Sequence, residues 1–215
     1  MTERSSQAAR RTTYRHGALK PALIEAGLRL ARAGGGPDAI VLRAAARQAG
    51  VAPNAAYTYF ADRNALVNAV ATAALAQMAT MMAAEQENLT PSVDPAVAAR
   101  QRFRSAGVGY LRFARTEPGL FRTAFTSGRD ATAMGVPDAA GPTGRSGIEL
   151  LGDALDELVE SGSLPPERRP GAEYLVWSAV HGMAFLAIDG PLRTLPDDQL
   201  DAIGERMLDM IDRGI

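Results

Sequence analysis

The sequence predicts an all-α protein, on three observations. Apolar residues recur every three or four positions along most of the 215 residues. Proline and glycine clusters fall between these stretches and not within them. No alternating apolar–polar run long enough for a strand occurs.

The elements follow in order. Residues 1–13 are polar and read as a flexible basic arm ending in Arg10 and Arg11. Leu19, Leu23, Ala26, Leu30 and Ala33 form one helical stripe, which Gly34-Gly35-Gly36-Pro37 ends. A short helix from about Leu42 to Ala49 is stopped by Gly50. Pro53 is suited to the first position of a second short helix ending near Phe60. Asp62 then caps a long helix through Leu66, Val70, Ala73 and Met78. After a break at Leu89–Pro95, helices are expected over Pro95–Thr116 and from Pro118 through Phe125. The Gly- and Pro-rich stretch 127–147 reads as a mobile loop. Three more helices are expected, at about Ser146–Glu160, Pro170–Asp189 and Asp197–Arg213.

Composition narrows the chemistry. The absence of cysteine excludes disulfides, thiol catalysis and Cys-ligated metals, and with only His16 and His181 no His-rich metal site is expected. No apolar run is expected to span a membrane, and the basic N-terminus is unlike a signal peptide, so a soluble cytoplasmic protein is expected. The net charge of −1 conceals a dipole: residues 1–68 carry ten basic and four acidic groups, net +6, leaving −7 on the remainder. A cationic end on an acidic body suits a protein that presents only that end to a polyanion. Catalysis would need paired acids or a nucleophile–base pair in a pocket, and beyond His181 the sequence offers neither; no catalytic residue, metal or cofactor is expected.

Residues 42–60 have the makings of a helix-turn-helix. Ala46 is small enough for two helices to cross closely, and Gly50 takes the positive φ of the tight turn. Val51 plugs the corner between the helices. The second helix is too short to persist alone and must be held by packing, with Ala56, Tyr59 and Phe60 as anchors. Together with its flanks, Tyr14-Arg15-His16-Gly17, Leu30-Ala31-Arg32, Leu42 through Pro53, and Tyr57-Thr58-Tyr59-Phe60-Ala61-Asp62-Arg63-Asn64-Ala65-Leu66, this region resembles the DNA-binding domain of TetR-type transcriptional regulators. Trp177-Ser178-Ala179-Val180-His181-Gly182, Tyr110–Ala114 and Glu117–Phe121 are similar to that family's WHG-type ligand-binding domain. The resemblance implies a three-helix DNA-binding domain over 1–61 and a helical ligand-binding and dimerisation domain over 62–215. It also implies a homodimer that represses transcription until a small-molecule effector binds. The chain departs from the family at Val41 and Ala52, where Ser or Thr usually caps each short helix, and at Ala56, often Leu. Loss of a capping hydroxyl costs on the order of 1 kcal/mol per helix, which leaves open a dimeric ligand-binding module with weakened DNA binding.

On double-stranded DNA, Tyr57, Thr58 and Tyr59 offer hydroxyls to phosphates, although either tyrosine also suits a core position. Arg63 stands at a helix start where an anion is favoured. Arg43 and Arg47 lie one turn apart, and Asn54, between Pro53 and Ala55, is the best reader of adenine. Arg10 and Arg11 suit a neighbouring minor groove, while Arg29 and Arg32 read as solvated helix charges. Met78, Phe103, Tyr110, Phe113, Phe121, Phe125, Trp177 and His181 are candidates for an effector pocket, or else core; a lone histidine on an apolar helix is more often a hydrogen-bonded core group. Gly141–Gly147 has a phosphate-loop flavour but lacks the lysine and the preceding strand, so a plain loop is expected. The helix from Tyr174 to Ile188 is apolar nearly all round and needs covering on both sides. Ala179, Ala184 and Ala187, with Ile203, Met207, Met210 and Ile211 of the last helix, are the expected two-fold interface.

Overall fold

The computed structural model describes residues 19–125 and 135–215, and its regular structure there is helical. Nine α-helices occur among them: α1 (Leu19–Gly34), α2 (Leu42–Gln48), α3 (Pro53–Tyr57), α4 (Arg63–Glu87), α5 (Pro95–Thr116), α6 (Pro118–Ala124), α7 (Gly147–Glu160), α8 (Ala172–Ile188) and α9 (Asp197–Gly214). The expected basic arm, with Arg10, Arg11 and His16, lies outside the described residues.

Helix α4 is the axis of the molecule. Asp62 starts it, its carboxylate accepting from the Ala65 amide at 2.8 Å. α4 packs against α1, which with α2 and α3 makes up the head of the molecule, and against α5, α6 and α7 of the remaining body. Contrary to the sequence expectation, it is long and apolar enough to cross a membrane by length and composition, with a stretch of mean hydropathy 1.4. Its central place explains the composition, since Leu66, Val70, Ala74, Leu75 and Met78 are buried in one core that runs from Leu19 to Ile211.

Helices α5 and α9 run antiparallel, joined by ion pairs at both ends. Arg100 meets Asp212 at 2.9 Å, Arg104 meets Asp209 at 2.6 Å and also Glu205, and Arg115 meets Asp197 at 3.0 Å and also Asp201. The stretch expected to be a mobile loop is more structured where it is described. Pro137–Ala139 forms a 3-10 turn against α4 with Ala139 buried, and Ser146 closes a capping box with Glu149 at the start of α7. The Ser146 amide and hydroxyl are thereby committed to the Glu149 carboxylate, in keeping with a plain connection.

Helix α8 is sided, despite its uniform composition. Val176, Val180, Met183, Ala184 and Ala187 face inward, and Tyr174, Leu175, Phe185 and Leu186 face out. This corrects the expected interface: Ala184, Ala187 and, on α9, Ile211 are buried within the subunit at 1%, 8% and 6% exposure and do not lie on the outward faces of α8 and α9. Ala179 and Met207 are half-buried, whereas Ile203 and Met210 remain exposed as expected.

Candidate functional site

In the head, Leu42, Ala45 and Ala46 bury one side of α2 and leave Arg43, Arg47 and Gln48 outside. Gly50 turns the chain with φ of +73°, and the Val51 amide donates to Ala46 O at 3.0 Å, which fixes the corner. α3 is anchored by Ala56 and, just beyond it, by Phe60, both buried, and by the half-buried Tyr59. Pro53, Asn54, Tyr57 and Thr58 are exposed, Tyr57 at 49%, and Ala55 is half-buried. Guanidinium, amide, phenol and hydroxyl groups thus share the outer surface of the helix-turn-helix. Tyr59 packs against the core while remaining half-buried. Neither Val41 nor Ala52, which start the two short helices, makes a side-chain cap.

Arg63 is redirected. Its guanidinium donates to Pro37 O at 2.7 Å and Ile40 O at 3.0 Å and pairs with Asp38, so it braces the turn between α1 and α2 instead of pointing freely at a phosphate. Arg32 is not a free helix charge either. It pairs with Glu117 at 2.8 Å and donates to Gln77 at 2.6 Å, tying α1 to α4 and α6. Arg29 bonds Gln48 across α1 and α2 at 3.2 Å.

Behind the head, five of the predicted effector residues converge. The Tyr110 hydroxyl lies 2.7 Å from His181 Nδ1, and Trp177 Nε1–H donates to the same hydroxyl oxygen at 3.3 Å. Phe125 and Phe121 pack on the imidazole at ring-centre distances of 4.7 Å and 5.4 Å. Burial pushes the His181 pKa down and that of Tyr110 up, so both are neutral near pH 7. The Tyr110 oxygen accepts from Trp177 and its proton needs an acceptor; His181 Nδ1 is the one in reach. With the hydroxyl donating to Nδ1, the imidazole is assigned the tautomer with its proton on Nε2.

Tyr110 and Trp177, with Met78, also wall an apolar slit of about 30 Å³ between α4, α5, α7 and α8. That is room for about one water-sized sphere. Met82, Ile148, Leu151 and Val176 also line it, with Ala106, Gly107, Gly147 and Val180, and sequence reasoning missed all eight because nothing in their local pattern marks which side of a helix faces a void. Gly147 leaves space for flexible thioethers: a Cβ there would lie 3.0 Å from the Met78 methyl and 3.2 Å from Met82 Sδ. Phe121, Phe125 and His181 back the slit through Tyr110 without lining it. Phe103 and Phe113, 4% and 1% exposed, do not line the slit and take the core alternative.

Helix α6 connects this aromatic cluster to the head. Phe121 and Phe125 lie at the cluster, while Gly119 sits so close to α1 that a Cβ would fall 2.3 Å from Ala31 O. Arg122, also on α6, donates to Gly35 O at 2.9 Å and pairs with Asp189 at 2.7 Å.

Residues 103–211 match the family model described as the Tetracyclin repressor-like, C-terminal domain. The chain belongs to the TetR-like family of transcription regulators. The match gives the broad class and does not name the WHG type. No curated protein matches the sequence. Solved structures share the fold across nearly the whole chain. A Rhodococcus sp. RHA1 protein of unknown function is 24% identical with a TM-score of 0.71, covering 95% of this chain and 98% of its own. The Bacillus subtilis transcriptional regulator FadR, in complex with stearoyl-CoA, is 15% identical at TM-score 0.63, covering 91% and 98%. A single-site variant of TetR from Acinetobacter baumannii AYE, in complex with minocycline, is 20% identical at TM-score 0.56, covering 91% and 94%. For a TetR-like regulator the arrangement above supplies an outward-facing helix-turn-helix, an apolar slit backed by an aromatic cluster, and helix α6 packed between that cluster and α1.

Proposed function

We propose that this TetR-like regulator is a homodimeric repressor of a palindromic operator, released when an apolar small molecule enters the slit walled by Met78, Tyr110 and Trp177. The observation that carries the reading is the outer surface of the helix-turn-helix, where Arg43, Arg47, Asn54, Tyr57 and Thr58 stay exposed while their neighbours hold the core. Arg43 and Arg47 serve phosphates, Tyr57 and Thr58 fix the register, and Asn54 reads a base. Pro53 and Ala55 set the start of α3. Tyr59 supports this surface from behind, and Arg63 does so by bracing the turn. Arg10 and Arg11 reach a flanking minor groove. Residues 1–61 act as the reading head and 62–215 as the body. Leu175, Phe185, Ile203 and Met210 pair with their copies across a two-fold axis, so two heads stand about one or more DNA turns apart (~34–36 Å per turn).

The slit is narrow, so an effector must displace the Met78 and Met82 thioethers, which are flexible enough to rotate aside. Stearoyl-CoA and minocycline, bound by the two neighbours, differ so much that neither fixes the effector here. Displacement at Tyr110 passes through Phe121 and Phe125 into α6, and through Met78 into α4. Both helices contact α1, so the effector favours one head spacing and DNA the other. The reading uses no cofactor and no catalytic step.

Purified protein with DNA from upstream of its own gene tests this in a gel shift. A specific shift at low salt is expected, falling steeply as salt rises because phosphate contacts release counterions. Asn54→Ala with Tyr57→Ala is expected to weaken binding by at least about tenfold. No shift, or unchanged affinity in the double variant, would favour the second reading, a dimeric ligand-binding module, which the uncapped starts at Val41 and Ala52 support.

A further inference from the structure

The narrow slit is not the largest void. A cleft of about 790 Å³ lies between α5, α6, α8, the turn Pro191–Thr194 and α9, and shares no lining residue with the slit. We propose that this cleft is a second ligand site, built for an amphipathic anion. Its apolar body would lie on Met183, Ala187 and Leu200, with its negative group among Arg115, Arg122 and Arg193.

Its size falls within the ~300–1,000 Å³ usual for small-molecule sites. Met183, Ala187 and Leu200 form an apolar cluster separate from the main core, so the floor is greasy without being sealed. The charges decide the sign of the ligand. Asp197 and Asp201 line the cleft but are engaged by Arg115, Glu205 is engaged by Arg104, and Arg122 is paired with Asp189. Arg112 is paired with Glu85 on α4. Arg193 bonds Gly190 O of its own turn at 3.3 Å and has no carboxylate partner among the described residues. Counted over the lining itself, four arginines (Arg112, Arg115, Arg122 and Arg193) stand against three carboxylates (Asp197, Asp201 and Glu205), a net charge of +1. Asp197 and Asp201, at 89% and 66% side-chain exposure, hold Arg115 weakly enough for a ligand carboxylate to compete. Arg122 also lines the cleft and holds Gly35 O in the head, so a ligand engaging it acts directly on the joint between body and head.

Full-length protein labelled with ¹³C-methyl methionine separates the two voids, because Met183 reports the cleft and Met78 and Met82 report the slit. The probe is decanoate, with decanol as its neutral control. Decanoate is expected to shift the Met183 methyl saturably and to leave Met78 and Met82 unmoved. Decanol should bind at least about tenfold more weakly, and Arg193→Gln, on an exposed turn, should weaken decanoate about tenfold. An unmoved Met183, shifts at Met78 and Met82 instead, equal binding of decanol, or unchanged affinity in Arg193→Gln would each overturn the proposal.

Discussion

The Tyr110 hydroxyl is shared by two partners, and its environment makes a pH prediction. Burial holds the folded pKa of His181 below its unfolded value of about 6.5. The unfolded chain then binds the extra proton more readily, so the stability from neutral His181 is complete above about pH 6.5 and is lost as pH falls. Denaturant melts across that range should show an acid slope that His181→Gln reduces; an equal slope in both proteins would contradict the assignment. Tyr110→Phe leaves the indole N–H and imidazole Nδ1 without their partner, at a cost of about 1–3 kcal/mol in the same melts. The sequence left His181 between a hydrogen-bonded core group and an effector-binding group; it is half-buried and bonded to Tyr110. It could not show that Arg63 curls back to carbonyls more than twenty residues earlier, because a long flexible side chain chooses its partner only in the folded chain.

Most element ends were legible because proline, glycine and capping side chains mark them: Pro53 opens α3, Asp62 caps α4, Pro118 opens α6 and Ser146 caps α7. Which face of an element looks where was less legible. Phe103 and Phe113 read as pocket or core and are core, and Ala184 and Ala187 read like an interface and point inward. Periodicity fixes spacing around a helix; the neighbour on each side is settled by tertiary packing. Two predictions belong to this scale. Ala52→Ser adds the missing cap of α3 and should stabilise the protein by on the order of 1 kcal/mol in thermal or denaturant melts. Gly119→Ala drives a methyl into Ala31 O, so α6 must move off α1. It should destabilise by about 1–3 kcal/mol and blunt the release of DNA by effector, read as operator affinity with and without effector.

At the scale of the whole molecule, charge and grease are segregated. The cationic head carries the exposed side chains proposed to read DNA, and the acidic remainder spends many of its carboxylates on arginines within the body, as along α5 and α9. The outward apolar faces of α8 and α9, with Leu175 at 67%, Phe185 at 53% and Met210 at 64% exposure, are the surface on which the proposed dimer would pair. Because each head offers only a small contact surface, tight binding depends on two heads sharing one rigid frame. Operator affinity measured by fluorescence anisotropy for the native chain and for Leu175→Arg with Phe185→Arg, with molecular mass followed by sedimentation, tests this most directly. The account predicts a monomeric variant with an intact fold and an affinity lower by about a hundredfold or more; a monomer that held the operator as tightly as the native protein would contradict it.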